Sequence, residues 1–329
     1  MHPFPTPRPS QAARGPGGEP PDAADTADGA DGADTAAGAA DEAPLASSSP
    51  ETPAVIAAIP ARYGSTRLPG KPLLRLAGRP MIEHVYRRVA TARGLARIVV
   101  LTDDERIADV VTAFGGEVEL TPAGCASGTD RIAYAARRWP GAAAVVNVQG
   151  DEPLIDPEAV SAIAAHLAAH PEDPMVTLAA PFAASGLAAE IAAELANPNV
   201  VKVVVSLDGR ALYFSRAAIP YVRQAAGDGS AAAGAAGPGA GAVPLRHLGI
   251  YGYQRAALLA LAELPPSPLE RSEALEQLRA LEHGISIRVL LTAPGLPGVD
   301  TREDLERAER LLALGAGHWT AASTTHDGR

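Results

Sequence analysis

A basic, glycine-punctuated loop follows the first apolar run of the sequence. The cationic and hydroxyl-bearing side chains within VIAAIPARYGSTRLPGKPLL (residues 55–74) include Arg62, Ser65, Thr66, Arg67 and Lys71. Backbone N–H groups at the end of a strand, together with such cations, suit an anion such as a phosphate. The spacing fits neither Gly-x-Gly-x-x-Gly nor Gly-x4-Gly-Lys-Ser/Thr, which excludes the dinucleotide fingerprint and the P-loop. The loop is predicted to bind phosphate, with a solvated polar turn as the alternative.

A carboxylate and an amide stand together in NVQGDEP (residues 147–153), directly after another apolar run. Asp151 offers the hard oxygens that Mg²⁺ prefers, and Mg²⁺ often takes only one or two carboxylates plus substrate phosphates. Gln149 carries both a donor and an acceptor, which reading the edge of a base requires. The alternative is a polar turn in which Asp151 accepts local backbone hydrogen bonds. On chemistry alone the two interpretations stand equal.

A second carboxylate candidate lies in GVDTRED (residues 298–304). Thr301 and Asp304 have the spacing of a helix N-cap with an acidic capping box. That role accounts for both residues and leaves Asp300 just outside the helix. Asp300 is a candidate second ligand for the same metal, although the spacing does not establish that it reaches Asp151.

The segment LERSEALEQLR (residues 269–279) has a helical pattern. Ser267 and Glu270 fit the N-cap and N3 positions of a helix over Pro268–Leu281. By periodicity alone, Glu276 and Gln277 fall on the surface of this helix. Cys125 and His247 have no visible nucleophile or base partner, so a structural role is predicted for each before any resemblance is considered.

Strands and helices alternate through the first half of the folded part. The predicted strands are 55–59, 97–102, 118–120 and 143–148, and the predicted helices are 81–92, 105–114, 130–138 and 157–170. This alternation indicates an α/β fold with a parallel sheet and helices on both faces. Ligands gather at the carboxyl ends of the strands in such sheets, so the basic loop and Asp151 are expected at one edge.

The regular alternation of strands and helices ends after residue 174, which indicates an inserted antiparallel portion. Residues 200–205 and 211–215 flank an Asp-Gly pair and predict a hairpin. Further strands are predicted at 248–253 and 285–291, and a last helix from Arg302. Residues 225–242 are almost entirely Ala and Gly, and a flexible loop is predicted there.

The first 53 residues differ in composition from the rest. They carry nine acidic residues and two arginines, so most of the formal charge of −10 lies here. A segment with so few large apolar residues cannot offset its conformational entropy, and disorder is predicted for 1–53. An inert solubilising extension is favoured over an interaction module, and an incorrectly assigned start site is a third interpretation. Residues 313–329 are predicted to be a frayed tail.

Composition also excludes several classes of protein. No signal peptide and no bilayer-spanning run are apparent, so a cytoplasmic protein without membrane insertion is expected. One cysteine excludes an intramolecular disulfide framework. No basic patch with interleaved aromatic residues indicates nucleic-acid binding.

Taken together, these segments resemble one family. The matching stretches, in order, are IPARYGSTRLPGKPL (59–73), SGTDR (127–131), NVQGDEP (147–153), NPNVVKVV (197–204), ALYFSRAAIPY (211–221), RHLGIYGY (246–253), LEQLR (275–279) and GVDT (298–301). They are similar to the 3-deoxy-manno-octulosonate (Kdo) cytidylyltransferases, or CMP-Kdo synthetases. The resemblance covers about residues 54–312.

The resemblance implies a fold, a reaction and a set of residues. The fold would be a mostly parallel, Rossmann-like nucleotide-diphospho-sugar transferase sheet, usually in a homodimer. The enzyme would be Mg²⁺-dependent and make CMP-Kdo and pyrophosphate from CTP and Kdo for lipopolysaccharide assembly. The implied CTP contacts are Arg62, Ser65, Lys71, Ser127, Thr129 and Gln149, the implied metal ligands are Asp151 and Asp300, and the implied sugar contacts are Arg223, His247, Tyr251, Glu276 and Gln277. Arg62, Lys71 and Asp151 would be catalytic.

Two departures from the family pattern concern fine sugar contacts. Cys125 stands where relatives often have His, and Arg271-Ser272 replaces a pair that more commonly contains His or Gln. The rival functions are a cytidylyltransferase for an amino-Kdo or a sialic-acid-like sugar, and a non-catalytic nucleotide-binding protein on the same fold.

Overall fold

The computed structural model describes residues 54–64, 68–182, 188–221, 244–293, 295 and 298–314. All of them lie in the compact unit Ser49–Arg329. The predictions for the segment 1–53, the loop 225–242 and residues 315–329 lie outside the described residues.

The described part of the chain alternates strands and helices. Its strands are β1 (Ala54–Pro60), β2 (Arg75–Leu76), β3 (Arg79–Pro80), β4 (Arg97–Thr102), β5 (Val118–Leu120), β6 (Ala142–Asn147), β7 (Met175–Pro181), β8 (Lys202–Val205), β9 (Ala211–Ser215), β10 (Leu245–Gln254) and β11 (Ile287–Leu291). Its α-helices are α1 (Met81–Val89), α2 (Glu105–Ala113), α3 (Gly128–Ala136), α4 (Pro157–Ala169), α5 (Ala188–Ala196), α6 (Arg255–Glu263), α7 (Pro268–Glu273), α8 (Gln277–Glu282) and α9 (Arg302–Ala313).

One mixed sheet organises these elements, in the order β11-β7-β10-β6-β1-β4-β5. β10 is antiparallel to both β6 and β7, whereas β1 is parallel to β4 and β6. The strands of this path other than β10 therefore run in the same direction. The hairpin β8-β9 joins through β8, which pairs with β10. The prediction of a mostly parallel sheet with an inserted antiparallel portion is confirmed.

Both faces of the sheet are buried beneath helices. Along β1, Val55 and Ile59 pack with one hydrophobic cluster and Ile56 packs with another. The first cluster includes residues of α1 and α4, and the second includes residues of α3, α6 and α8. Strands covered on both sides read as continuous apolar runs, and this explains why short runs such as VIAAI predicted β1 correctly.

The prediction of one helix over Pro268–Leu281 is wrong. The chain instead forms α7 and α8, and Ala274 between them has φ +50, in the left-handed region. Non-glycine residues rarely adopt this conformation. The sequence offers neither Gly nor Pro at this point, so periodicity alone predicts a continuous helix.

Five of the described strands and α-helices had no counterpart in the sequence analysis, namely β2, β3, β7, α5 and α6. Every residue of β7 before Pro181 is buried, but Thr177 and two alanines make its apolar run weaker than those of β1 and β4. No helix in the described part of the chain is long and apolar enough to cross a membrane.

Candidate active site

The loops after β1 and β6 meet at one edge of the sheet, as predicted. The N–H of Val148 donates to Ala58 O at 3.0 Å, so the strands pair up to their ends. A Cβ at Gly150 would lie 2.8 Å from Pro60 O, so only glycine allows the two loops to approach this closely. Between the loops is a cleft of about 460 Å³, which we call the basic cleft. Its lining includes Arg62, Lys71, Cys125, Ser127, Arg131, Gln149, Asp151 and Asp300.

Lys71 lies at the centre of the polar contacts in this cleft. It begins a short 3₁₀ turn after Gly70, whose φ of +68 favours glycine. Its Nζ donates to Asp151 Oδ2 at 2.7 Å and to Asp300 Oδ1 at 3.0 Å. Burial by itself would lower the pKa of Lys71, but the two carboxylates offset this and raise its pKa above the ordinary value. Lys71 therefore holds its positive charge between the two aspartates.

The structure brings Asp300 to Asp151, a proximity that sequence spacing left open. The N–H of Val299 donates to the backbone oxygen of Asp151 at 2.9 Å and joins the two segments. The predicted capping box of α9 is present: the hydroxyl of Thr301 accepts from the N–H of Asp304, whose carboxylate accepts from the N–H of Thr301. Because this cap fixes the start of α9, it positions Asp300 as well.

A second, larger cavity of about 990 Å³ shares Asp151 and Asp300 with the basic cleft. We call it the inner cavity. The side chains that line it include Glu152, Glu194, Asn197, Arg246, His247, Tyr251 and Gln277. The hydroxyl of Tyr251 and the Nε2 of Gln277 are buried and have no hydrogen-bond partner among the described residues. Buried polar groups are almost always paired in folded proteins, so these two atoms indicate a place for a polar ligand.

His247 faces the inner cavity as a neutral imidazole. Its Nε2 lies 3.0 Å from Thr177 Oγ1, and its ring packs against Phe214 and Tyr251 at centroid distances of 5.0 and 5.3 Å. Burial lowers the pKa of His247 to about 3. Burial likewise raises the pKa of Tyr251 well above its ordinary value. Both rings therefore offer neutral hydrogen-bonding groups to the inner cavity near neutral pH.

The periodicity-based prediction of a surface position for Glu276 and Gln277 is wrong. Gln277 is 7% exposed. The two oxygens of the Glu276 carboxylate accept from Ser127 Oγ at 2.8 Å and from Thr129 Oγ1 at 2.6 Å. The break at Ala274 rotates α8 relative to α7 and turns both residues inward. The structure thus joins Glu276, expected at the sugar, to Ser127 and Thr129, expected at the nucleotide.

The remaining predicted residues divide into two groups. Arg62 is exposed at the basic cleft, and Gln149 lines the same cleft with its Nε2 3.2 Å from Asn147 Oδ1. Ser65, Arg67 and Arg223 lie outside the described residues.

Several arginines that the sequence analysis gave no role line the cavities, among them Arg131 and Arg246. Arg131 is only 4% exposed, lines the basic cleft, and places its Nη2 3.1 Å from Asp103 Oδ2. Its location in SGTDR, directly after a helix cap, is a signal that could have identified it. Arg246 lines the inner cavity and forms an ion pair with Glu194.

Glu152 is a further residue without a sequence-based role. It lines the inner cavity directly after Asp151. Burial and the neighbouring carboxylate of Asp151 raise the pKa of Glu152 to about 8. No residue type or spacing in QGDEP distinguishes such a carboxyl group from an ordinary exposed glutamate.

The oxygens around Lys71 Nζ fit a divalent cation that also has phosphate ligands. Among the described residues, no group of three or more His, Cys, Asp or Glu side chains is arranged to hold a metal ion. Two carboxylates nevertheless converge on one cation, and this is the number that Mg²⁺ commonly takes together with substrate phosphates. The donor set therefore suits Mg²⁺ bound jointly by protein and substrate.

Residues 56–287 match the family model described as cytidylyltransferase, and this match identifies the chain as a nucleotidyltransferase. The relatives include a 3-deoxy-manno-octulosonate cytidylyltransferase of Syntrophotalea carbinolica, 52% identical over 79% of this chain and 98% of the relative. Another, from Verminephrobacter eiseniae, is 53% identical over 77% of this chain and 93% of the relative. The chain belongs to the 3-deoxy-manno-octulosonate cytidylyltransferase family.

Two solved structures extend the comparison. A CMP:2-keto-3-deoxy-manno-octonic acid synthetase complexed with CTP has a TM-score of 0.70 and 42% identity, and the match covers 80% of this chain and 99% of that one. A cytidylyltransferase from Leptospira borgpetersenii has a TM-score of 0.51 and 17% identity, over 80% of this chain and 87% of that one. At that identity the second likeness shows the fold alone.

Proposed function

We propose that the protein transfers CMP from CTP to the anomeric hydroxyl of Kdo, giving CMP-Kdo and pyrophosphate. The observation that carries this proposal is the meeting of two cavities at Asp151 and Asp300. One cavity is small and basic, and the other is larger and contains unpaired polar atoms. A transfer between two substrates requires two such adjoining sites with the reacting atoms at their junction.

The basic cleft is assigned to CTP. Arg62 and Lys71 supply positive charge for the phosphates, and Arg131 adds a buried guanidinium on the same lining. Gln149 has the donor and acceptor that a cytosine edge requires. The solved relative in complex with CTP supports this assignment by its likeness over most of the chain.

The inner cavity is assigned to Kdo, which carries several hydroxyls and a carboxylate. The hydroxyl of Tyr251 and the Nε2 of Gln277 would gain the partners that they lack among the described residues. Neutral His247 would donate or accept a further hydrogen bond. Arg246, which also pairs with Glu194, and Arg223 are proposed to bind the carboxylate of the sugar acid.

The reaction is an in-line substitution at the α-phosphorus of CTP. The anomeric oxygen of Kdo forms a bond to this phosphorus as the bond to the bridging oxygen of pyrophosphate breaks, and the hydroxyl proton leaves to solvent. Lys71 and Arg62 stabilise the negative charge that develops on the transferred and departing phosphates. Asp151 and Asp300 would hold Mg²⁺, which when bound orients phosphates and stabilises charge on reacting oxygens.

The oligomeric state and location are proposed on the family resemblance alone. We infer a homodimer in the cytoplasm, where CTP is available. Light scattering coupled to size-exclusion chromatography tests the dimer: a mass near twice 33.6 kDa supports it, and a mass near 33.6 kDa contradicts it.

Steady-state kinetics with one substitution in each cavity tests the assignment of the two cavities. Arg62→Met is expected to raise KM for CTP about tenfold or more and to change KM for Kdo little, because a charge-assisted contact to phosphate is lost. Gln277→Leu is expected to show the opposite pattern. Asp151→Ala and Lys71→Ala are expected to lose at least about a hundredfold in kcat with an unchanged circular dichroism spectrum. Reversed KM effects, or full turnover of Asp151→Ala, would refute the assignment.

A further inference from the structure

The ammonium group of Lys71 lies where three oxygens converge. Its Nζ is 2.7 Å from Asp151 Oδ2, 3.0 Å from Asp300 Oδ1 and 2.9 Å from the carbonyl oxygen of Val299. The Lys71 side chain is 12% exposed, whereas the side chains of Asp151 and Asp300 are 37% and 54% exposed, so the ammonium is sheltered while the carboxylates remain accessible from solvent. Two carboxylates and a carbonyl are hard oxygen ligands of the kind that bind Mg²⁺ and Mn²⁺.

We propose that Lys71 and a divalent cation compete for these three oxygens, and that a nucleoside triphosphate frees them by giving Lys71 a new anionic partner. The first part rests on the geometry alone. The second part rests on the proposed function, because it requires phosphates in the basic cleft.

The two cations cannot share the site. Mg²⁺ binds its oxygen ligands at about 2.1 Å, so an ion on these oxygens would lie within about 3–4 Å of Nζ. An ammonium group and a divalent cation at such distances repel each other, and their van der Waals spheres nearly touch. Metal binding therefore requires the Lys71 side chain to move away.

Backbone contacts that do not involve Lys71 hold the two segments that carry these oxygens. The N–H of Val299 donates to Asp151 O at 2.9 Å, and the N–H of Asp300 donates to Asp304 Oδ2 at 3.2 Å. A Cβ at Gly298 would lie 3.4 Å from Asp151 O, so the two segments are also in close backbone contact. Removal of the ammonium group should therefore leave the backbone of the two segments in place.

Lys71 has a destination within reach. It also lines the basic cleft beside Arg62, and its four-carbon stem allows the ammonium to swing into that cleft. Phosphates there would offer it charged acceptors in place of the aspartates. The consequence is an order of events, in which the nucleotide binds first and the divalent cation second.

The first experiment observes Lys71 directly in the unaltered protein. The only lysines in the sequence are Lys71 and Lys202, so selective ¹⁵Nζ-lysine labelling gives one signal for each. Lys202 is an internal reference, since it is fully buried and donates to the carbonyl oxygens of Asn197, Val200 and Arg216. With EDTA present, CTP is expected to shift the Lys71 signal and leave the Lys202 signal in place.

Saturation-transfer NMR on the cytosine protons reports in the same sample whether CTP is bound. An unmoved Lys71 signal with CTP bound would overturn the second part of the proposal. Failure of CTP to bind would contradict the proposed function and also the release of Lys71 by a nucleoside triphosphate. The competition between Lys71 and a divalent cation is tested separately by the next experiment.

The second experiment measures Mn²⁺ binding without nucleotide, from the electron paramagnetic resonance signal of free Mn²⁺. Lys71→Met is expected to bind one Mn²⁺ at least about tenfold more tightly than the unaltered protein, because the ion no longer displaces charge-assisted hydrogen bonds. Arg62→Met is the control, because it removes one positive charge from the same cleft and leaves Lys71 bound to the three oxygens. The Mn²⁺ affinity of this variant should differ from that of the unaltered protein by less than about twofold. Adding Asp151→Asn to Lys71→Met should abolish the gain.

Equal Mn²⁺ affinity of Lys71→Met and the unaltered protein would overturn the competition, as would an equal gain in Arg62→Met. Lys71→Gln serves as a second variant should Lys71→Met fold poorly. Because neither CTP nor Kdo is present, this result does not depend on the sugar or on catalysis.

Discussion

The carboxylate of Glu276 joins the two halves of the site, and its removal should be measurable as lost stability. Its oxygens accept from Ser127 Oγ at 2.8 Å and from Thr129 Oγ1 at 2.6 Å. Ser127 caps α3 beside the basic cleft, and the neighbour of Glu276, Gln277, lines the inner cavity. Glu276→Ala therefore deletes the contact between the two sides.

The magnitude follows from these two contacts. A hydrogen bond to a charged group contributes about 1.5–3 kcal/mol. Thr129 is only 3% exposed, so its hydroxyl would lose its acceptor in a dry environment. Ser127 is partly exposed and can turn to water. We expect Glu276→Ala to lower the free energy of unfolding by about 2–3 kcal/mol, below the sum of two full contacts.

Urea denaturation followed by circular dichroism measures this loss, provided that the slope with denaturant is unchanged. Glu263→Ala is the matched control: Glu263 also pairs with a polar side chain, that of Arg137, but is 71% exposed. Its loss should stay within about 0.5 kcal/mol. A double-mutant cycle of Glu276→Ala with Thr129→Val should give a coupling of about 1–2 kcal/mol. A loss below about 0.5 kcal/mol for Glu276→Ala, or a coupling near zero, would show that the Glu276 carboxylate does not stabilise the junction of the two cavities.

Three further predictions concern single residues. Burial lowers the pKa of His247 to about 3, so the unfolded chain takes up a proton at this residue below its ordinary pKa of 6.5 while the folded protein does not. The free energy of unfolding should therefore fall between pH 7 and 4.5, by at most about 1.4 kcal/mol per pH unit from this residue. His247→Gln should make this decline smaller. The same decline in His247→Gln would contradict this. Gly150→Ala places a Cβ 2.8 Å from Pro60 O, so the loops after β1 and β6 must separate. We expect kcat to fall by about tenfold or more, because the residues of the two loops are displaced from each other. An unchanged kcat would argue against the close approach of the loops. Ala274→Gly should raise the free energy of unfolding, measured by urea denaturation, by up to about 1 kcal/mol, because glycine adopts φ +50 without strain. A lower free energy of unfolding would show that Ala274 is not strained.

The sheet was predictable because its strands are buried on both faces. Short β-branched runs such as RIVVLT predicted β4 with its observed ends, since a run of this length that is rich in Val and Ile is typical of a buried strand. The Asp-Gly pair predicted the hairpin β8-β9, and Gly209 there has φ +81, as a tight turn requires. These features depend on local residue types, which a sequence displays directly.

The interior of the site was less predictable because it depends on one unusual backbone conformation and on contacts distant in sequence. Nothing in SEALEQ identifies Ala274 as left-handed, and without that break Glu276 falls on the surface. The pairing of Lys71 with Asp300 joins residues 229 positions apart. The types and local settings of Lys71 and Asp300 were visible in the sequence, but their convergence on one another required the fold.

The measurement that tests the account most directly is product formation from CTP and Kdo in the presence of Mg²⁺. Pyrophosphate release and the mass of the sugar product are followed together, with amino-Kdo and a sialic acid as rival substrates. The proposed function predicts one pyrophosphate for each CMP-Kdo formed, a higher kcat/KM for Kdo than for either rival, and loss of both products in Asp151→Ala. No pyrophosphate with Kdo, or a higher kcat/KM for a rival sugar, would contradict it.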